Sequence, residues 1–117
     1  MNLDILGDAA DGDATFARDL ADLYRGHITE QLGLMHAALA AHSASDVQAI
    51  AHHCKGSSHT CGATTLASLF GELARLGLAG QLEQAARVAA EAEREFARVQ
   101  VILETLAPQP ATTEPPA

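Results

Sequence analysis

The run LEQAARVAAEAEREFARVQVILETL, residues 82–106, decides the fold class. Its inward candidates are Leu82, Ala85, Ala89, Ala92, Phe96, Val99, Leu103 and Leu106, separated by alternating steps of three and four. Such steps hold one stripe on one side of an α-helix and make the seam of a helical bundle. A strand needs alternation at every second residue, and β-branched residues nowhere cluster into that pattern. The chain reads as all-α.

Toward the N-terminus the same periodicity recurs. Leu66, Leu69, Phe70, Leu73 and Leu76 mark a helix that begins after Gly62 and is expected to end at Gly77 and Gly80. Before it, Val47, Ile50, Cys54, Ser58 and Cys61 share one side of another helix. The turn His42-Ser43-Ala44-Ser45-Asp46 leads into that helix and offers it a cap. Earlier still, Phe16, Leu20, Leu23, Tyr24, Ile28, Leu32, Met35 and Leu39 form one stripe, with Asp13 or Thr15 as its capping residue. Gly26 and Gly33 weaken this stripe, which predicts two helices, about 13–25 and 27–41, meeting at a bend.

Helices joined by short turns predict an antiparallel four-helix bundle with an additional N-terminal helix. The expected organisation is a flexible lead-in over 1–12, the bundle over 13–106, and a disordered Pro/Thr-rich tail over 107–117. The expected core includes Leu20, Ile28, Ile50, Cys54, Leu69, Leu73, Phe96 and Leu103.

With 117 residues, 48% of them hydrophobic, the chain suits one folded, monomeric domain rather than a disordered one. Fifteen acidic residues against seven basic ones give a net charge of −8, which repels a phosphate backbone. Aromatic content of 3% also removes the usual stacking platform for single strands. Nucleic acid is thereby excluded. No stretch reaches the roughly 18 consecutive apolar residues of a membrane span, and Met1-Asn2-Leu3-Asp4 does not open like a secretory signal. Cys54 and Cys61 are seven apart, about 10.5 Å along a helix and beyond the ~7 Å Cα limit for a disulfide. They read as reduced thiols of a cytoplasmic protein.

Chemistry concentrates on the third predicted helix. Taking Val47 as zero at about 100° per residue, Ile50, Cys54, Ser58 and Cys61 fall near 300°, 340°, 20° and 320°, one narrow buried face. His52 falls near 140°, Lys55 near 80°, Gly56 near 180° and His59 near 120°, all about the opposite side, with His53 on the flank near 240°. A neutral imidazole nitrogen is nucleophilic near neutral pH and forms a phosphoramidate that transfers readily. A lysine one turn away supplies positive charge to phosphoryl oxygens. A glycine at i+4 lets a partner's loop approach closely.

The stretch Ala51-His52-His53-Cys54-Lys55-Gly56-Ser57-Ser58, with Gly62-Ala63 and then Leu66, Leu69 and Leu73, resembles the histidine-containing phosphotransfer (HPt) domain. That family's pattern is a phosphorylatable His, any residue, an apolar residue, Lys, Gly and two small residues, with a further Gly ten positions after the His. Cys54 stands where an aliphatic residue is usual, and cysteine packs as a small hydrophobe. The resemblance spans about residues 13–106. It implies that His52 accepts a phosphoryl group from a receiver-domain aspartate and passes it on, supported by Lys55 and Gly56. The implied partners are response-regulator receiver domains and a hybrid sensor histidine kinase, with no cofactor. His59, on the same face, is a candidate partner contact. One departure stands out: Ala74 occupies a place where the family often has Glu or Gln to hold the imidazole, leaving Glu72 or Arg75 as stand-ins.

Two other readings compete. A zinc site would use His52, His53, Cys54, His59 and Cys61, but no Cys-x-x-Cys or His-x-x-x-His pair exists in this segment, and the wheel turns the thiols away from His52 and His59. A helical partner-binding module without phosphoryl chemistry would treat the histidines as surface residues. An independent enzyme is not supported. Gly56-Ser57-Ser58 lies inside a helix and lacks the nucleotide-loop pattern, so the chain is read as a carrier and not a kinase. His27, His36 and His42 read as helix-surface or turn residues.

Overall fold

The computed structural model describes residues 1–106. It contains five helices in the order α1 (Leu3–Ala9), α2 (Ala14–Ala40), α3 (Ala44–Thr60), α4 (Thr64–Ala79) and α5 (Leu82–Leu106). Helices α2 to α5 form the antiparallel four-helix bundle, and α1 is the additional N-terminal helix. The expected tail over 107–117 lies outside the described residues.

The first half of the chain departs from expectation in two ways. Residues 14–40 form one continuous helix rather than two meeting at a bend. A Cβ added at Gly26 or Gly33 would meet nothing within 4 Å, so neither glycine marks a close helix crossing. Each costs the helix about 1 kcal/mol. The unbroken stripe Ala21, Tyr24, Ile28, Leu32, Met35 and Ala38 is buried throughout and outweighs that cost. The second departure is α1, which lies in the expected flexible lead-in. Asn2 caps it, its side chain accepting from the amides of Asp4 and Ile5, and Leu6 is buried in the core. The Asn2 amide also donates to the Gly62 carbonyl at 2.6 Å, tying this helix to the turn between α3 and α4.

Caps and turns follow local chemistry. Asp13 caps α2 by accepting from the Phe16 amide at 3.0 Å. Ser43 begins α3 without a side-chain cap. Gly62 turns the chain at φ 82°, where an added Cβ would collide with the Asn2 carbonyl. Gly80 ends α4 in the left-handed region. Gly77, expected as a stop, is instead inside α4. A Cβ there would sit 2.8 Å from the Gln48 amide nitrogen, so this glycine lets α3 and α4 touch backbone to backbone.

Of the expected core, Ile28, Cys54, Leu73, Phe96 and Leu103 are buried, while Leu20, Ile50 and Leu69 are half-buried and pack against it. Ala51 replaces Ile50 at the centre of the α3 contact and is fully buried. The smaller residue fits because α3 and α4 pack so closely.

Candidate functional site

Helix α3 is anchored by the face Val47, Ala51, Cys54 and Ser58, each fully buried. The anchor includes one polar contact: the Ser58 and Tyr24 hydroxyls meet at 2.6 Å in the core between α3 and α2. Burial pushes the Tyr24 phenol above its usual range. Burial likewise pushes the Cys54 thiol up to about 12 and the Cys61 thiol up to about 11, so both stay neutral at physiological pH.

With that face fixed inward, His52, His53, Lys55, Gly56 and His59 are all exposed on α3. Among the described residues, no hydrogen bond or ion pair engages the His52 or Lys55 side chain. A Cβ at Gly56 would find no atom within 4 Å, so the surface beside His52 is open. The following hydroxyls turn back onto the helix. Ser57 donates to the Cys54 carbonyl at 3.2 Å, and Thr60 donates to the Gly56 carbonyl at 3.1 Å.

His53 is placed differently. Its ring meets that of His27 on α2 edge to face, with centroids 5.2 Å apart and planes at 73°. His27 is therefore half-buried and in contact rather than a plain surface residue. His36 pairs with Glu93 of α5, and His42 occupies the turn after α2 at φ 55°.

The register of α4 against α3 follows from two contacts. Gly77 lies at the level of Gln48, and Gly71 at the level of Lys55, whose Cδ would be 3.5 Å from an added Cβ. In an antiparallel pair, His52 then faces the level of Ala74. Ala74 is half-buried against the core and offers the imidazole no polar group. The two stand-ins from the sequence bind each other instead, Arg75 donating to Glu72 at 3.1 and 2.5 Å. Its bond to Arg75 holds the Glu72 carboxyl below the usual carboxylate range.

The residues of the zinc reading do not converge. Cys54 and Cys61 are buried while His52 and His59 are exposed. Among the described residues, no three of His, Cys, Asp and Glu come together. No helix of the described residues is long and apolar enough to cross a membrane.

Sequence reasoning passed over Tyr24 as a polar anchor, His27 as the neighbour of His53, and Gly71 under Lys55. Only Gly71 left a trace in the sequence, as a glycine within an otherwise strong helix.

Comparison with known proteins agrees with the fold. The family model described as Hpt domain matches residues 19–106. The crystal structure of histidine-containing phosphotransfer protein B (HptB) from Pseudomonas aeruginosa PAO1 is similar, with a TM-score of 0.85 and 30% sequence identity. The match covers 90% of this chain and 91% of that one. No curated protein matches the chain.

Proposed function

The chain belongs to the Hpt domain family, the histidine phosphotransfer modules of two-component signalling, and from that premise we propose that His52 is its phosphoacceptor. Members of the family are phosphoryl carriers, not kinases, and work in phosphorelays with receiver domains and histidine kinases. In this chain the lone-pair nitrogen of the His52 imidazole attacks the phosphorus of a receiver's aspartyl phosphate. The new N–P bond forms as the P–O bond to the aspartate breaks, and the carboxylate leaves with the bonding electrons. The other ring nitrogen keeps its proton. Transfer onward reverses the step on a second receiver's aspartate.

One observation carries the assignment. His52 is exposed and unengaged, with Lys55 three residues on and an open Gly56 four residues on, the two offsets that neighbour it on a helix. Lys55 offsets the negative charge of the phosphoryl oxygens in transit. Gly56 leaves room for the receiver's loops, and His59 extends the contact face. The upstream donor is a receiver domain fed by a hybrid sensor kinase, and the module acts as a cytoplasmic monomer.

Incubating the chain with a phosphorylated receiver domain tests this reading. The expected result is phosphate on the chain that is acid-labile and base-stable, as a phosphoramidate is. A chain that gains no phosphate from any receiver of a broad panel contradicts it.

A further inference from the structure

We infer that Gly71 is a positioning residue for phosphotransfer: its bare backbone on α4 seats the stem of Lys55 and so fixes where that ammonium stands beside His52. The inference rests on the reading of His52 as acceptor and adds to it a residue on the neighbouring helix.

Lys55 is the chain's single lysine. Its stem lies across α4, for the three heavy atoms nearest to a Cβ built at Gly71 are Lys55 Cδ at 3.5 Å, Cε at 3.6 Å and Nζ at 3.9 Å. Long cationic side chains commonly lay their methylenes on a neighbouring surface while the charged end stays in water. Here the surface is a helix backbone that a larger side chain would cover. Unlike Gly26 and Gly33, where an added Cβ would meet nothing within 4 Å, Gly71 has a packed neighbour that offers its bare backbone a local cause. That cause is not backbone conformation, because Gly71 is not among the positive-φ glycines. Nor is it a backbone crossing, which is the role of Gly77 about one and two-thirds turns on. What remains at Gly71 is the lysine stem.

The charges around the seat are consistent with this. Glu72, adjacent to Gly71, gives both carboxylate oxygens to Arg75. Among the described residues no carboxylate lies within ion-pair distance of Lys55. Packing therefore directs the ammonium, and its charge stays free for the phosphoryl oxygens. An alanine at position 71 would place its Cβ at ordinary contact distance and keep the seat. Longer side chains would occupy the path of the stem and lift Lys55 off α4.

The test uses the full chain and a phosphorylated receiver domain. It compares wild type, Lys55→Ala, Gly71→Ala, Gly71→Leu, Gly71→Gln and the Lys55→Ala/Gly71→Leu double variant, each checked for helicity and melting. Carbon-13 lysine labelling gives a single lysine spin system, so an NOE from Lys55 Hδ or Hε to Gly71 Hα reads the seat without any phosphate. The expected results are that NOE in the wild type and wild-type transfer by Gly71→Ala. Gly71→Leu and Gly71→Gln slow transfer by the same factor as Lys55→Ala, roughly tenfold or more for loss of one charged donor. The double variant is no slower than Lys55→Ala alone. A missing NOE, unchanged transfer by both long-chain variants, or losses that multiply in the double variant overturns the inference alone. A wild-type chain that accepts no phosphate overturns the reading of His52, and this role with it.

Discussion

The Tyr24 hydroxyl on α2 and the Ser58 hydroxyl on α3 meet at 2.6 Å inside the apolar core, six residues beyond His52 on the same helix. Both side chains are buried, Ser58 fully. This bond adds a directional contact to the buried face Val47, Ala51, Cys54 and Ser58, which holds His52 outward. Removing one partner leaves the other hydroxyl buried and unsatisfied, at a cost of about 1–3 kcal/mol. Tyr24→Phe is expected to lower stability to chemical denaturation by that amount. Tyr24→Phe with Ser58→Ala should cost less than the sum of the two single variants. Additive losses would show that the hydroxyls do not depend on each other.

The buried thiols make stability depend on pH. Cys54 and Cys61 are pushed up to about 12 and 11 in the fold, while in the unfolded chain a thiol titrates near 8.5. As pH rises through about 8.5 the unfolded state comes to bind fewer protons than the native state, and stability falls. Well below that pH, at about 7 and under, both states hold neutral thiols and the effect vanishes. The melting temperature is expected to fall between pH 8 and pH 10, and less steeply for Cys54→Ala measured against its own value at pH 8. Alkylation at pH 8 should be slow in the native protein and fast in denaturant. Equal rates would place the thiols at the surface.

Lys55 is exposed, so Lys55→Ala should leave the melt nearly unchanged. Phosphoryl transfer from a receiver should slow, because the transition state loses a cation one helical turn from the acceptor. An unchanged transfer rate would remove Lys55 from the site.

Gly56 faces open space, and a Cβ there would meet no atom within 4 Å. Gly56→Leu should therefore fold at least as well as wild type, since glycine in a helix interior is about 1 kcal/mol worse than alanine. Transfer should nonetheless fail, because leucine fills the gap left for the receiver. Normal transfer by the folded variant would show that the gap is not used.

Much of this architecture is legible in the residues. The three-and-four steps along Leu82 to Leu103 and along Leu66 to Leu76 give helices α5 and α4, because long amphipathic stripes leave no alternative way to bury their apolar faces. The outward side of α3 follows from Val47, Cys54 and Ser58 by rotation alone. What escapes the sequence is decided by contacts across the bundle. Gly26 and Gly33 carry the usual mark of a break, yet the core stripe through Tyr24 and Ile28 keeps α2 continuous. The short α1 has too few turns to show a period, and its order comes from Leu6 in the core and Asn2 on Gly62. Gly77 and Gly71 look alike in sequence. One admits the backbone of α3 and the other a lysine stem, a distinction that exists only once the helices pack.

The central claim separates two adjacent residues of identical chemistry. Both rings are exposed, but His52 has Lys55 and Gly56 at helical offsets, whereas His53 meets His27 edge to face and has Gly56 and Ser57 at those offsets. The most direct measurement is phosphate incorporation from a phosphorylated receiver into wild type, His52→Gln and His53→Gln, with the modified residue mapped at neutral pH. The account predicts phosphate on His52, none on a folded His52→Gln, and most of the wild-type level on His53→Gln. Phosphate mapped to His53, or a His52→Gln protein that still accepts it, would contradict the account.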